Sequence, residues 1–296
     1  METVSGDRLW QWHQWACETA SSENIPSSEI DWLLLHYVPT LDTLALRLKT
    51  YRGALSLDIR CSLDQLTQLW EQRLRDRTPI QHLTGMTPWR HFSLYVSPAV
   101  LIPRPETELL IDLAIESTEH DPALRNGIWI DMGTGSGAIA LGLADAFPNA
   151  TVHAVDTSAD ALAIARKNAD RYGMGDRIQF HHGSWFDPIQ QLQGQLSGLV
   201  SNPPYIPSGQ IKSLQPEVSR HEPHLALNGG TDGLDAIRHL AQTAPFYLKS
   251  GGRWMVEMMA GQDEDVVSIL NQHPFQNIRI HPDLAGIKRF AIAHRT

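Results

Sequence analysis

The sequence predicts an α/β protein: a doubly wound, mainly parallel sheet preceded by a small helical domain and a β-hairpin linker. Three observations carry that expectation. From Glu106 onward, β-rich runs alternate with helical stretches, the pattern of parallel strands joined by crossover helices. Residues 1–84 contain no such runs and read as helices. Between the two parts, Gly85, Pro88, Pro98 and Pro103 punctuate two short β-rich segments. The expected boundaries are therefore a helical domain over 1–84, a hairpin over 85–103 and an α/β domain over 104–296.

In the helical part, Leu9, Trp10, Trp12 and Trp15 form an aromatic-rich first segment. Ser28-x-x-Asp31 reads as a capping box ahead of Trp32-Leu33-Leu34-Leu35. Ser62-x-x-Gln65 opens a further helix through Leu66, Leu69, Trp70 and Leu74. Arg73, Arg75 and Arg77 then lie where cations suit the helix dipole, and Pro79 follows as a stop. Six of the nine tryptophans precede residue 91, enough bulky apolar surface for a core of their own. The hairpin is expected to pair Phe92–Val96 with Val100–Ile102. Strands of the main sheet are expected at Ile128–Met132, Thr151–Val155, Ile178–His181, Leu199–Ser201, Arg253–Met258, Asn277–Ile280 and Lys288–His294. The last two have only a short connection, which suits an antiparallel edge.

Composition narrows the class. The 296 residues suit two domains. The formal charge is −9, with 9 Lys+Arg against 11 Asp+Glu in residues 1–90 and 15 against 22 in the remainder. Neither part looks built to grip a phosphate backbone through bulk electrostatics. Apolar runs such as Ile30–Val38 are too short or too broken to span a bilayer, and Met1-Glu2-Thr3-Val4 lacks a basic-then-apolar start. Cys17 and Cys61 give neither a disulfide framework nor zinc spacing. His221-x-x-His224 and His181-His182 lack a third ligand at a sensible spacing, so packing roles and no metal are expected. The expectation is a cytoplasmic monomer with no membrane or stable nucleic-acid partner.

Asp131-Met132-Gly133-Thr134-Gly135-Ser136-Gly137 follows the first main strand and opens the helix Ala138–Phe147. Glycines there let the backbone turn sharply and approach a ligand at a helix N-terminus. Asp156 ends the next strand, where a carboxylate accepts hydrogen bonds from both hydroxyls of a ribose. Gly133, Thr134, Gly135, Ser136, Gly137 and Asp156 are thus candidate binders of a nucleoside-containing cofactor. Taken alone, the loop also fits a nicotinamide site or a plain tight turn.

Asn202-Pro203-Pro204-Tyr205 decides between them. It follows the fourth main strand and so faces the same end of the sheet as the glycine loop. Asn-Pro also favours turns, but an arbitrary tetrapeptide arises by chance only about once in several hundred chains of this size. An amide or aromatic amine nitrogen is a poor nucleophile because its lone pair is delocalised; the ~18–20 kcal/mol amide rotation barrier measures that resonance. Two acceptors, the Asn202 side-chain carbonyl and the Pro203 backbone carbonyl, can hold such an NH2 so that it pyramidalises toward an electrophilic methyl. Proline adds no competing N–H, and Tyr205 offers a flat face for the planar group. The combination points to transfer of a methyl group from S-adenosyl-L-methionine to a planar nitrogen.

Further segments resemble one family. Pro79-Ile80-Gln81-His82-Leu83-Thr84-Gly85, Leu101-Ile102-Pro103-Arg104-Pro105-Glu106-Thr107-Glu108, Gly183-Ser184-Trp185-Phe186, Glu222-Pro223…Ala226-Leu227…Gly229-Gly230 and Asp283-Leu284-Ala285-Gly286…Arg289 are similar, in order, to the peptide chain release factor glutamine methyltransferases of the HemK/PrmC type. The resemblance implies a Rossmann-like methyltransferase domain acting on the glutamine of the Gly-Gly-Gln motif in release factors. By motif it implies that Gly133–Gly137, Asp156 and Trp185 bind the cofactor, with Trp185 near the adenine. It implies that Asn202 touches cofactor and substrate, while Pro203, Pro204 and Tyr205 line the glutamine pocket. Two positions depart from the family: Glu257-Met258-Met259 replaces Glu-Ile-Gly, and Ser184 stands where an acidic residue is common. The main rival is an adenine-N6 DNA or RNA methyltransferase, whose amine would use the same acceptors. It would need to unstack its base and grip phosphates, normally with a basic recognition region, whereas the non-catalytic part here is short, helical and net −2. A non-catalytic cofactor binder has no use for Asn202 and Tyr205 together, and a nicotinamide oxidoreductase is left only the glycine loop.

Overall fold

Ser62 opens the helix Leu63–Asp76 as its sequence predicts. Its Oγ accepts from the Gln65 N–H (3.1 Å), and Gln65 Oε1 accepts from the Ser62 N–H (2.9 Å), both halves of a capping box. The computed structural model describes residues 2–296. This helix belongs to the first of two units, which comprises residues up to Gly85 together with Pro216–His221. Helices Gly6–Ser22, Ser28–Tyr37, Thr43–Leu48 and Ile80–Thr84 complete most of it, around Leu9, Trp12, Leu33, Leu34, Leu66 and Trp70. The indole N–H groups are satisfied inside that core: Trp12 donates to Thr67 (3.0 Å), Trp70 to Thr19 (2.9 Å) and Trp32 to Thr84 (3.2 Å).

Two local expectations fail in this unit. Ser28 is the first helical residue and not the cap; Ser27 precedes it with helical dihedrals and no side-chain cap bond, because the chain enters through a turn at Pro26. Strands β1 (Glu2–Val4) and β2 (Leu57–Ile59) pair antiparallel, each too short at three residues to leave a periodic signal. Arg73 lies in the last turn of its helix, as expected, but it also serves the core. It is buried, with Nε and Nη2 on the Glu29 carboxylate (2.5 and 2.9 Å) and Nη1 2.8 Å from Glu217.

The second unit comprises Met86–Gln215 and Glu222–Thr296. It begins with a hairpin, but Phe92–Tyr95 (β4) pairs with Met86–Trp89 (β3) and not with Val100–Ile102. Arg90, at φ 50°, makes the tight turn between them. Val100 and Ile102 are apolar because they are buried, and the Ile102 N–H bonds to the Glu222 carboxylate (3.4 Å) in place of a ladder partner.

The main sheet has seven strands in the order β10-β11-β9-β8-β5-β6-β7. They span Ile128–Met132 (β5), Thr151–Asp156 (β6), Ile178–His182 (β7), Leu196–Ser201 (β8), Leu248–Glu257 (β9), Phe275–Pro282 (β10) and Lys288–Arg295 (β11). Pairings from β7 through β9 are parallel, and β11 and β10 add antiparallel at one edge, as their short connection predicts. One apolar layer joins the sheet to the helices Leu109–Ser117 and Ala138–Ala146 and to the hairpin. The other joins it to Asp235–Thr243 and Asp263–Asn271. Chain order reverses between β5 and β8, which makes a crevice beyond their carboxyl ends, where α/β sheets bind ligands. Among the described residues no helix is long and apolar enough to cross a membrane.

Candidate active site

The glycine loop leaves β5 with Gly133, Gly135 and Gly137 all in the left-handed region, at φ 78°, 53° and 82°. A side chain at Gly135 would meet open space, so its glycine answers to backbone conformation. A Cβ at Gly137 would also lie 3.0 Å from the Cβ of Ala165, so this glycine lets the helices approach as well. The loop is tied down on several sides. Gly133 and Thr134 N–H donate to Val155 O (2.9 Å each), and Asn168 Nδ2 donates to Ser136 O (2.8 Å). Buried Asp131 accepts from the Thr134 hydroxyl (2.5 Å) and the Ala140 N–H (2.9 Å) through one oxygen, and burial raises its carboxyl to about 7.

Asp156, at the end of β6, takes one backbone N–H on each oxygen, from Gly135 (2.8 Å) and Ser158 (2.8 Å). Each oxygen keeps a lone pair for a ligand, and the carboxylate plane is fixed by the loop itself. Trp185 adopts φ 47°, a costly conformation for an aromatic residue. It sets its ring 5.5 Å from His239, which lies on the helix Asp235–Thr243.

A cavity of about 600 Å³ opens here, within the usual size range of small-molecule sites. Gly133, Thr134, Gly135, Ser136, Asp156, Trp185, Asn202 and Pro204 share its lining with Thr107 and His239. Gly137, Pro203 and Tyr205 are not part of that lining: Gly137 packs on Ala165, and Pro203 is buried. The open loop surface at Gly133 and Gly135, the paired acceptors of Asp156 and the apolar walls fit a nucleoside-bearing sulfonium cofactor.

At the mouth of β8, Asn202 Nδ2 donates to Thr107 Oγ1 (3.1 Å). The Thr107 hydroxyl donates to Glu257 Oε2 (2.6 Å), and the Tyr205 hydroxyl donates to Glu257 Oε1 (3.0 Å). Glu257 ends β9, is fully buried, and has its carboxyl raised by burial to about 7. Tyr205 is likewise held neutral, first by burial and then by the Glu257 charge. Beside this group Arg104 pairs with buried Glu222 (2.6 Å), joining the Pro103–Glu106 segment to the chain after residue 221. Of these residues Thr107, Arg104 and Glu222 lie in segments the sequence singles out, but nothing in their spacing shows that Thr107 and Glu257 meet Asn202. Met259, which replaces a family glycine, is not at positive φ, so the backbone there does not call for glycine. Among the histidines of the sequence motifs, His181 pairs with His153 (2.8 Å), and His221 bonds the Asp76 carbonyl (2.8 Å).

A methyltransferase small domain family model matches residues 107–219. The chain is 47% identical to the release factor glutamine methyltransferase of Synechocystis sp., covering 98% of this chain and 97% of that protein. The chain belongs to the release factor glutamine methyltransferase family. The family's protein from Thermosynechococcus vestitus is 43% identical, covering 98% of this chain and 99% of its own. Among solved structures, the hMettl16 catalytic domain in complex with the MAT2A 3'UTR hairpin 6 shares the fold, with a TM-score of 0.55 at 11% identity over 80% of this chain and 84% of that one. As a release factor glutamine methyltransferase family member, the chain combines the glycine loop, Asp156 and Asn202 in one cavity at the switch point of its sheet.

Proposed function

We propose that this chain transfers a methyl group from S-adenosyl-L-methionine to the side-chain amide nitrogen of the glutamine in the Gly-Gly-Gln motif of peptide chain release factors. The observation that carries the reading is the state of Asn202. Its NH2 is engaged by Thr107, so its carbonyl oxygen is the end left to accept hydrogen bonds, and it lines the cavity that holds Asp156 and the glycine loop. When bound, the cofactor supplies an electrophilic methyl on a sulfonium. Asp156 accepts from the ribose hydroxyls, Gly133–Ser136 give the cofactor a close backbone surface, and Trp185 packs on the adenine. Asn202 Oδ1 and Pro203 O take the two hydrogens of the substrate amide. Their negative ends favour the charge that grows on the NH2 as its lone pair leaves conjugation. Pro204 and Tyr205 bound the glutamine, and the Tyr205 ring is steadied by its hydroxyl bond to Glu257.

In the same reading the helical unit holds the release factor as a large partner, and the enzyme works as a monomer in the cytoplasm. An adenine amine would fit the same acceptors. Family membership and the formal charge of −9 both favour a protein substrate over a phosphate backbone. The test is incubation of a purified release factor with enzyme and S-adenosylmethionine, followed by peptide mass spectrometry. A single methyl on the Gly-Gly-Gln glutamine is expected; methylation of an adenine-containing oligonucleotide in preference to the factor would overturn the reading.

A further inference from the structure

An asparagine side chain has two ends of nearly equal size and opposite hydrogen-bonding sense. A glutamine substrate presents an NH2 to it. If Asn202 stood the other way round, two donors would face each other and the amide would not be held. Something other than the substrate must therefore fix which end of Asn202 faces the cavity.

We propose that Glu257, acting through Thr107, is the positioning residue that sets the orientation of the Asn202 amide and so makes its oxygen the group offered to the substrate. The proposal rests on the reading of Asn202 as the substrate acceptor. The geometry supplies a chain with one polarity. Thr107 has a single hydroxyl proton, and it goes to Glu257 Oε2 (2.6 Å). What Thr107 then offers Asn202 is a lone pair, which only the Nδ2 end can use (3.1 Å). The other Glu257 oxygen is taken by the Tyr205 hydroxyl (3.0 Å), so an ionised Glu257 receives two donors and gives none.

Protonation reverses the chain. A proton on Oε2 donates to Thr107, the Thr107 hydrogen turns toward Asn202, and the amide flips to meet it with its oxygen. The acceptor is then withdrawn from the cavity. The groups facing Glu257 are Glu106 and Thr107 from the turn before the helix Leu109–Ser117, Tyr205 after β8 and Arg289 on β11. Glu106 opposes its ionisation and Arg289 favours it, but burial is the largest influence and keeps the carboxyl near neutrality. Turnover is therefore expected to rise with pH through that region.

The experiment uses the full chain with a purified release factor, measuring kcat from pH 5.5 to 8.5 for wild type, Thr107→Val, Thr107→Ser, Glu257→Gln and the Thr107→Val/Glu257→Gln double variant. Affinity for S-adenosylhomocysteine, by calorimetry, monitors folding and the cofactor site. Thr107→Val should lower kcat about tenfold to a hundredfold, the scale of losing one positioning contact. Its cofactor affinity should fall far less than its rate, although Thr107 lines the cavity, and Thr107→Ser should recover most of the rate. The double variant should be no slower than Thr107→Val alone, since both changes cut one chain. The acidic limb of wild type should be absent from Thr107→Val. Losses that multiply in the double variant, or a Thr107→Val enzyme with wild-type kcat and an unchanged acidic limb, would overturn the relay while leaving the substrate assignment intact. A wild-type enzyme that leaves the factor unmethylated would overturn both.

Discussion

Asn202 and Asp156 line one cavity, and the role proposed for each yields its own prediction. In the proposed mechanism Asn202 holds a nitrogen that is a poor nucleophile until it pyramidalises, so its bond matters most in the transition state. Asn202→Ala is expected to lower kcat by about 10²–10³, the usual loss on removing one such partner, and to weaken the cofactor by far less. Comparing single-turnover rates with S-adenosylhomocysteine titrations checks this; near-normal turnover would contradict the acceptor mechanism. In the same proposal Asp156 acts in the ground state, on the ribose hydroxyls of the cofactor. Asp156→Ala should weaken the cofactor by about 1.5–3 kcal/mol, the range for hydrogen bonds to a charged group, as measured by calorimetry. The substitution also leaves the Gly135 and Ser158 N–H groups without their acceptors, so the apo loop should show faster amide exchange at both.

The glycine loop and the β3–β4 hairpin are locked to one side chain, Asn168, in the helix Ala159–Arg171. Its Oδ1 accepts from Tyr95 N–H (2.7 Å), and its Nδ2 donates to Tyr95 O (3.0 Å) and Ser136 O (2.8 Å). Asn168→Leu would bury these backbone groups unpaired, at about 1–3 kcal/mol for each that water cannot reach. A urea midpoint lowered with unchanged slope is the expected result; an unchanged midpoint would mean the loop does not depend on this anchor. Asn168 also shows what the sequence could and could not reveal. The central strands are legible because both their faces are buried, so they appear as short continuous apolar runs between turn residues. The glycine loop and Asn-Pro-Pro-Tyr are legible because their chemistry needs adjacent residues. Asn168 has no local pattern to mark it, and Thr107 and Glu257, though in segments the sequence singles out, meet their partners far along the chain, at separations of 73, 95 and 52 residues in the bonds these three make or terminate, so no spacing shows the contacts. The hairpin misled for a similar reason: Val100–Ile102 looks like a strand because it is apolar, but its burial comes from tertiary packing.

Across the whole molecule, two buried carboxyls should shape stability. Asp131 and Glu257 are both raised to about 7, above their ordinary values of 3.8 and 4.5. Between those limits the native state binds more protons than the unfolded chain. The stabilisation is complete below the unfolded values and is lost as pH rises through about 7. Each carboxyl that stays protonated in the native state and ionises in the unfolded chain costs about 1.4 kcal/mol of stability for every pH unit climbed in that window. Urea unfolding of the apo enzyme from pH 5 to 8 should show this fall, and Glu257→Gln should flatten it; an unchanged slope would remove Glu257 from the explanation. A second consequence concerns the helical unit, whose tryptophans are spent on its own core. Catalysis on one NH2 does not require such a unit, so it is expected to hold a large partner, and binding energy from remote contacts can be used to order the reacting group. A short Gly-Gly-Gln peptide should therefore be methylated with lower kcat as well as higher KM than the whole factor; equal constants would contradict docking. The most direct test of the central claim is mass spectrometry of a purified release factor after incubation with the enzyme and S-adenosylmethionine. One added methyl group on the side-chain nitrogen of the Gly-Gly-Gln glutamine, absent with Asn202→Ala, is the predicted result. An unmodified glutamine under conditions in which the enzyme binds S-adenosylmethionine would contradict it.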